Sequence, residues 1–216
     1  YEAPDEVTLD IQVRICPQTN TALEGLYMAG SGDDTMFVTQ CEPEGFRKIT
    51  FYPDRPDVLA IFTTRLEADK RYPTLLANGN LVEAGEVADA PERHYAIWQD
   101  PTNKPSYLFA CVIADLDVLT DSYTTSEGRD VLLEVYAKSA DIDKCDVGMQ
   151  ALKDAMRWDE VNYGRAYDLD RYMIVAVSQF NMGAMENKGL NIFNTACVLS
   201  SPETTTDARS FSVKAI

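Results

Sequence analysis

The chain has 216 residues, 45 % of them hydrophobic and 25 % charged, ordinary values for a globular protein with room for one large domain or two small ones. Nineteen Lys and Arg stand against 35 Asp and Glu, a formal net charge of −16 that argues against a general nucleic-acid binder and against docking on anionic membrane. A single histidine, His94, excludes a His-rich zinc site, a two-His-one-carboxylate iron site or an HExxH helix within this sequence.

In chain order, the first 120 residues are almost all β in character. Strands are expected at 7–15, 36–41, 48–52, 58–70, 74–77, 80–87, 93–99 and 106–114, each rich in β-branched or aromatic residues and bounded by turn residues. Asn78-Gly79 between two apolar stretches is a hairpin signal, since a type I′ turn needs positive φ at both central positions. Pro53, Pro56, Pro73, Pro101 and Pro105 are expected at the joins. His94, in the alternating run Arg93 to Trp98, reads as a surface or packing residue of a strand. After residue 120 the pattern changes. Residues 131–137 read as a strand and 143–163 as a helix with Gly164 as its C-terminal cap. Strands follow at 172–177 and 190–194, then a loop at 201–207 and a further helix beginning near Phe211. This makes the fold class mainly β, α+β overall, with domains at 1–119 and 120–216.

Five cysteines, widely spaced and without CxxC, read as reduced thiols of a reducing compartment. Only Cys145, beside Lys144, has a basic neighbour that could favour a thiolate. Asp141, Asp143 and Asp146 fail as a calcium loop, because Asp146 stands where glycine is needed and Leu152 where glutamate is needed. Asp115 with Asp117 and Asp168 with Asp170 read as strand-flanking pairs. No apolar run approaches the roughly 20 residues that span a membrane.

The informative stretch is Val177 to Gly189. A buried strand ends near Ser178, the small residues Gly183 and Ala184 follow, and then comes a carboxylate, Glu186. Small side chains let another backbone approach, so an extended peptide could pair there as an added strand while Glu186 holds a cation. An edge loop whose glycines merely turn the chain is the other reading.

Gly183-Ala184-Met185-Glu186-Asn187 resembles the GAMEN signature of the aminopeptidase N family of zinc metallopeptidases. Further segments are similar to that family, and to its bacterial and protozoan members above all: Asn20 to Tyr27, Thr39 to Arg47, Asp54 to Leu59, Leu76 to Asn80, Tyr107 to Ala110 and Lys188 to Asn194. The resemblance implies part of a β-sandwich or saddle domain, followed by the β-sheet start of a thermolysin-like catalytic domain. It implies that Glu186 and Glu42 hold the free α-ammonium of a peptide substrate and that Gln40 lines the same pocket. The backbone around Gly183 and Ala184, with Met185 and Asn187, binds the substrate main chain, and Met182 cushions its first side chain. Glu44 is left as a surface or structural acid.

An α-ammonium of pKa about 7.7–8.0 is mostly cationic at neutral pH. At ~4 Å and an effective dielectric near 20, each carboxylate contact is worth roughly 4 kcal/mol before desolvation, much of which burial of the ions removes. What is left separates a free N-terminus from an internal peptide bond. The resemblance also implies a catalytic zinc on HExxH, beyond the segment similar to 211–216. The chain is therefore expected to be an inactive fragment with no zinc of its own, taken from a monomeric, cytoplasmic enzyme that acts on peptides with a free N-terminus. A metal-free scaffold and a peptide-binding module are the alternatives.

Overall fold

The computed structural model describes residues 6–201 and 203–216, with Asp33 described for its backbone alone. Pro202, in the expected 201–207 loop, lies outside the described residues.

Three sheets form. The first has four strands, β1 (Gly25–Ala29), β2 (Met36–Gln40), β4 (Thr74–Ala77) and β7 (Cys111–Ala114), in the order β1-β2-β7-β4 and antiparallel throughout. The second is a three-stranded antiparallel sheet in the order β3-β6-β5, from β3 (Leu59–Asp69), β5 (Asn80–Val87) and β6 (Ala90–Pro105). The third is mixed, in the order β11-β12-β10-β9-β8, from β8 (Asp117–Thr124), β9 (Asp130–Ala137), β10 (Arg171–Val177), β11 (Ala184–Met185) and β12 (Leu190–Asn194). Strands β9, β10 and β12 run parallel, so β9 and β10 need a crossover, which the helix α1 (Asp146–Tyr163) supplies. The short helix α2 (Thr195–Val198) and α3 (Asp207–Ala215) complete the chain.

The five-stranded sheet is covered on both faces, which explains the unbroken apolar run of β10. Val131, Leu133, Val135, Ile174 and Ala176 pack under α1, against Met149, Leu152 and Met156. Tyr136, Met173, Val175, Val177, Leu190 and Ile192 face the other way and share one core with Tyr27, Val38, Leu76, Val112 and Trp98 of the preceding sheets. Gly164 caps α1 at φ 61°, as its position predicts.

Several expectations are corrected. Residues 7–15 form no strand: Val7, Leu9, Ile11, Val13 and Ile15 alternate, but all five are exposed and no strand pairs with them among the described residues. Residues 48–52 are not a strand either. Phe46 stacks edge-on against Tyr52, Phe62 and Phe109, and Asp54 accepts the Arg47 N–H, so the chain turns there. The 106–114 strand divides, because Ser106–Leu108 is a 3-10 turn whose Ser106 hydroxyl bonds the buried Asp54. Pro105 ends β6 at the join to the 3-10 turn, as expected, but Pro101 lies inside the strand. Pro101 falls at a bulge opposite β3, where a missing N–H leaves no partner unpaired. Strands β1 and β11 were not anticipated, and β8 straddles residues 119/120, the sheets changing over at Asp115–Leu116.

Asn78-Gly79 closes no hairpin. The strands on its two sides, β4 and β5, belong to different sheets, so the pair is a corner. Gly79 does take the positive φ (91°) that its type suggests, and a Cβ there would lie 2.1 Å from the Gln99 carbonyl oxygen.

Candidate functional site: an edge strand facing the end of β2

The residues of the GAMEN stretch are placed by hydrogen bonds to both sides. Tyr27 on β1 donates its hydroxyl to Gln179 O at 2.9 Å, and Gln179 Oε1 accepts the Gly30 N–H at 3.0 Å. Asn181 Nδ2 reaches Ala22 O at 3.2 Å. On the other side, Asn194 donates its backbone N–H to Gly183 O at 2.9 Å and its side-chain amide to Phe180 O at 3.2 Å. These ties lead the chain from the end of β10 into β11, where Ala184 and Met185 pair antiparallel with Phe193 and Ile192.

Strand β11 is the edge of its sheet and pairs only with β12. Its outer side therefore offers unpaired backbone groups, the requirement for adding an extended peptide as a further strand. A Cβ on Gly183 would lie 3.3 Å from Ile216 Cδ1 and 3.5 Å from the Cys197 sulfur, so the residue sits close against both. Met185 and Asn187 turn inward and are buried, at 0 % and 1 % exposure, so neither presents a surface to a ligand here. Glu186 between them is exposed.

The end of β2 meets this edge. Gln40, at 6 % exposure, places its Nε2 3.1 Å from the sulfur of Met182, which is 39 % exposed. Gln40 Oε1 is buried and accepts no hydrogen bond among the described residues. Two residues on, Glu42 begins a loop that is held closed. Gly45 donates its N–H to Cys41 O at 3.3 Å, and a Cβ on Gly45 would lie 2.5 Å from Gln40 O. Arg47 fixes the far side of that loop on Asp54 and also pairs with Glu44 at 3.0 Å, giving Glu44 a structural partner. By contrast, neither Glu42 nor Glu186 has a hydrogen-bond or ion-pair partner among the described residues. The structure thus joins Gln40 to Met182 directly and keeps Gly183 to Asn187 as one edge. Glu42 reaches this region through its closeness to Gln40, with no bond to the others.

The described residues do not fit a zinc ion. No three His, Cys, Asp or Glu side chains gather as ligands among them, and His94 sits on β6 with Nε2 2.8 Å from Tyr72 O, a packing role. Cys145 is not activated by Lys144, whose ammonium is held by Asp141 at 2.6 Å. Burial, with Asp141, Asp146 and Asp143 around it, pushes this thiol up to about 11. Of the residues that shape the site, Tyr27, Asn78, Gln179 and Asn194 were not singled out from the sequence as functional. Their only signal was their position inside or beside the quoted segments.

Known proteins resemble the chain over most of its length. Residues 2–108 match the Peptidase M1 N-terminal domain, and residues 147–216 match the Peptidase family M1 domain. The chain is 56 % identical over 205 residues to an Aminopeptidase N of Escherichia coli, covering 94 % of this chain and 23 % of that protein. It is 53 % identical over 206 residues to an Aminopeptidase N of Caulobacter vibrioides, covering 95 % of this chain and 23 % of that protein. A crystal structure of Legionella pneumophila aminopeptidase A in complex with aspartic acid superposes with a TM-score of 0.83 at 38 % identity, over 90 % of this chain and 22 % of that one. The chain thus spans about a quarter of the length of these relatives.

Proposed function

We propose, for a chain that belongs to peptidase family M1, that it supplies the substrate-amine anchor of a zinc aminopeptidase acting on peptides with a free N-terminus. The observation that carries this is the meeting of Gln40 and Met182, which brings the end of β2, two residues before Glu42, to the segment that leads through the edge strand to Glu186, both carboxylates being without partners among the described residues.

In this reading the substrate lies along β11 as an added strand, its backbone held by Gly183 and Ala184. Its α-ammonium sits with Glu186 and Glu42, and the unpaired Gln40 Oε1 accepts a further N–H from it. Met182 is half-exposed and soft, suited to side chains of different shape at the first position. A neutral internal peptide bond would leave two carboxylates facing an amide, which is a penalty and not a contact. That asymmetry restricts cleavage to chain ends. The aspartic acid in the Legionella relative also carries a free α-ammonium. The zinc, and the HExxH base that goes with it, would be supplied by residues other than those of this sequence. We read the change of sheets at Asp115–Leu116 as the junction of the two domains. The whole enzyme is proposed to act as a monomer in the cytoplasm, its five thiols reduced.

The test is Glu186→Gln in the full-length enzyme, with Glu42→Gln beside it. Losing one charge-assisted contact of about 1.5–3 kcal/mol lowers kcat/KM at least tenfold on a free-amine substrate. Values within twofold of the parent for both variants would overturn the reading.

A further inference from the structure

The corner Asn78-Gly79-Asn80 joins the first sheets to the loop that follows Glu186. The Asn78 side chain is 2 % exposed and makes three hydrogen bonds. Its Oδ1 accepts the Ala110 N–H at 2.7 Å, and its Nδ2 donates to Leu108 O at 2.9 Å and to Lys188 O at 2.8 Å. The last bond spans 110 residues of sequence and ends two positions beyond Glu186.

The surrounding chain is shaped to permit it. Gly79 and Gly189 both have positive φ (91° and 73°), and a Cβ on Gly189 would lie 2.9 Å from Leu169 Cδ1 and 3.4 Å from the Gly79 nitrogen. Two glycines therefore abut, so the backbones come close enough for the amide of Asn78 to reach Lys188 O. Asn80 repeats the link alongside, exchanging two hydrogen bonds with Asp170 at 3.1 and 3.2 Å. The Lys188 ammonium is held separately, by Asp168 at 2.5 Å.

Glu186 thus stands between two fixed points. Before it, Met185 is buried and paired with Ile192. After it, Lys188 O is tied to the first sheets through Asn78. We propose that Asn78 is a positioning residue: by holding Lys188 O it fixes the Glu186 loop relative to the sheet that ends in Gln40, and so keeps the two halves of the amine anchor in register. This rests on the amine-anchor reading above. A corner asparagine that merely completed the β4–β7 junction would have no need of Lys188, since Ala110 and Leu108 already satisfy one acceptor and one donor.

Asn78→Asp tests it in the full-length enzyme, because the substitution keeps the acceptor used by Ala110 and removes both donors. Asn78→Ser, which brings no buried charge and leaves room for water, serves if the carboxylate unfolds the chain. Three results are expected. The amides of 187–190 exchange with solvent at least tenfold faster while those of 174–177 in β10 are unchanged. KM for a free-amine substrate rises at least tenfold while kcat stays within threefold. In a Glu186→Gln background the Asn78 variant adds less than twofold, because both act through one carboxylate. Unchanged exchange at 187–190, or losses that add fully to those of Glu186→Gln, would overturn the proposal. If Glu186→Gln itself leaves KM unchanged, the amine-anchor reading fails, and the exchange rates still decide whether Asn78 holds the loop.

Discussion

Glu42 and Glu186 are two of 35 acids on this chain. Like several others they have no partner among the described residues, and what sets them apart is their place, just after β2 and just after the edge strand β11. Most acids near other elements are engaged: Asp54 with Arg47, Asp168 with Lys188, Glu134 with Arg171 at 2.8 Å. A motif can name Glu186, but the sequence cannot reveal that Arg47 is occupied by Asp54 and Glu44 and so leaves Glu42 free, because that depends on a turn at Phe46–Lys48 set by distant aromatic packing. The cysteines show the same limit. Lys144 beside Cys145 suggested activation, whereas burial and three aspartates act in the opposite sense. Burial likewise pushes Cys111 up to about 12 and Cys41 well above its usual value, while Cys16 is exposed and Cys197 half-buried. A disulfide-exchange reagent at pH 8 is therefore expected to modify Cys16 and Cys197 in the native chain and all five thiols only in denaturant. Rapid native modification of Cys145 or Cys111 would contradict the packing described.

At the scale of elements, local signals were read well where they were sufficient. Strands β4, β5 and β12 lie at their expected residues, α1 ends at its glycine, and the parallel strand β10 follows from its unbroken apolar run. At Asn78-Gly79 the glycine takes the positive φ that a type I′ turn asks of both positions, and Asn78 does not. The partner was missed, since neither composition nor spacing encodes which sheet a strand leaving a turn will join. Alternation at 7–15 failed for a related reason: an apolar period of two marks a face but does not supply a neighbouring strand. The corner has a measurable consequence. Alanine at position 79 would combine a disfavoured φ with a Cβ 2.1 Å from the Gln99 carbonyl oxygen, which is backbone and cannot swing aside. Gly79→Ala is expected to cost about 2–4 kcal/mol and lower Tm by roughly 5–15 °C. A change of less than 1 °C would show that β4 and β5 meet β6 differently.

At the scale of the whole molecule, the central fact is that one core serves all three sheets. Residues of β10 and β12 share it with β2, β4 and β7, so the end of β2 and the edge strand are placed by packing as well as by the few bonds across them. Most of that core joins residues far apart in sequence, which is why the architecture is legible through family resemblance and not through local periodicity. The net charge of −16 makes the chain acidic, and Glu42 and Glu186 are part of that background. The central claim is that a free α-ammonium is held by Glu42 and Glu186 together. A crystal structure of the full-length enzyme with a bound free amino acid tests it most directly. The account predicts the ligand nitrogen within hydrogen-bond distance, about 2.7–3.2 Å, of a carboxylate oxygen from each of Glu42 and Glu186. A ligand nitrogen bound elsewhere, with both carboxylates turned to solvent, would contradict it.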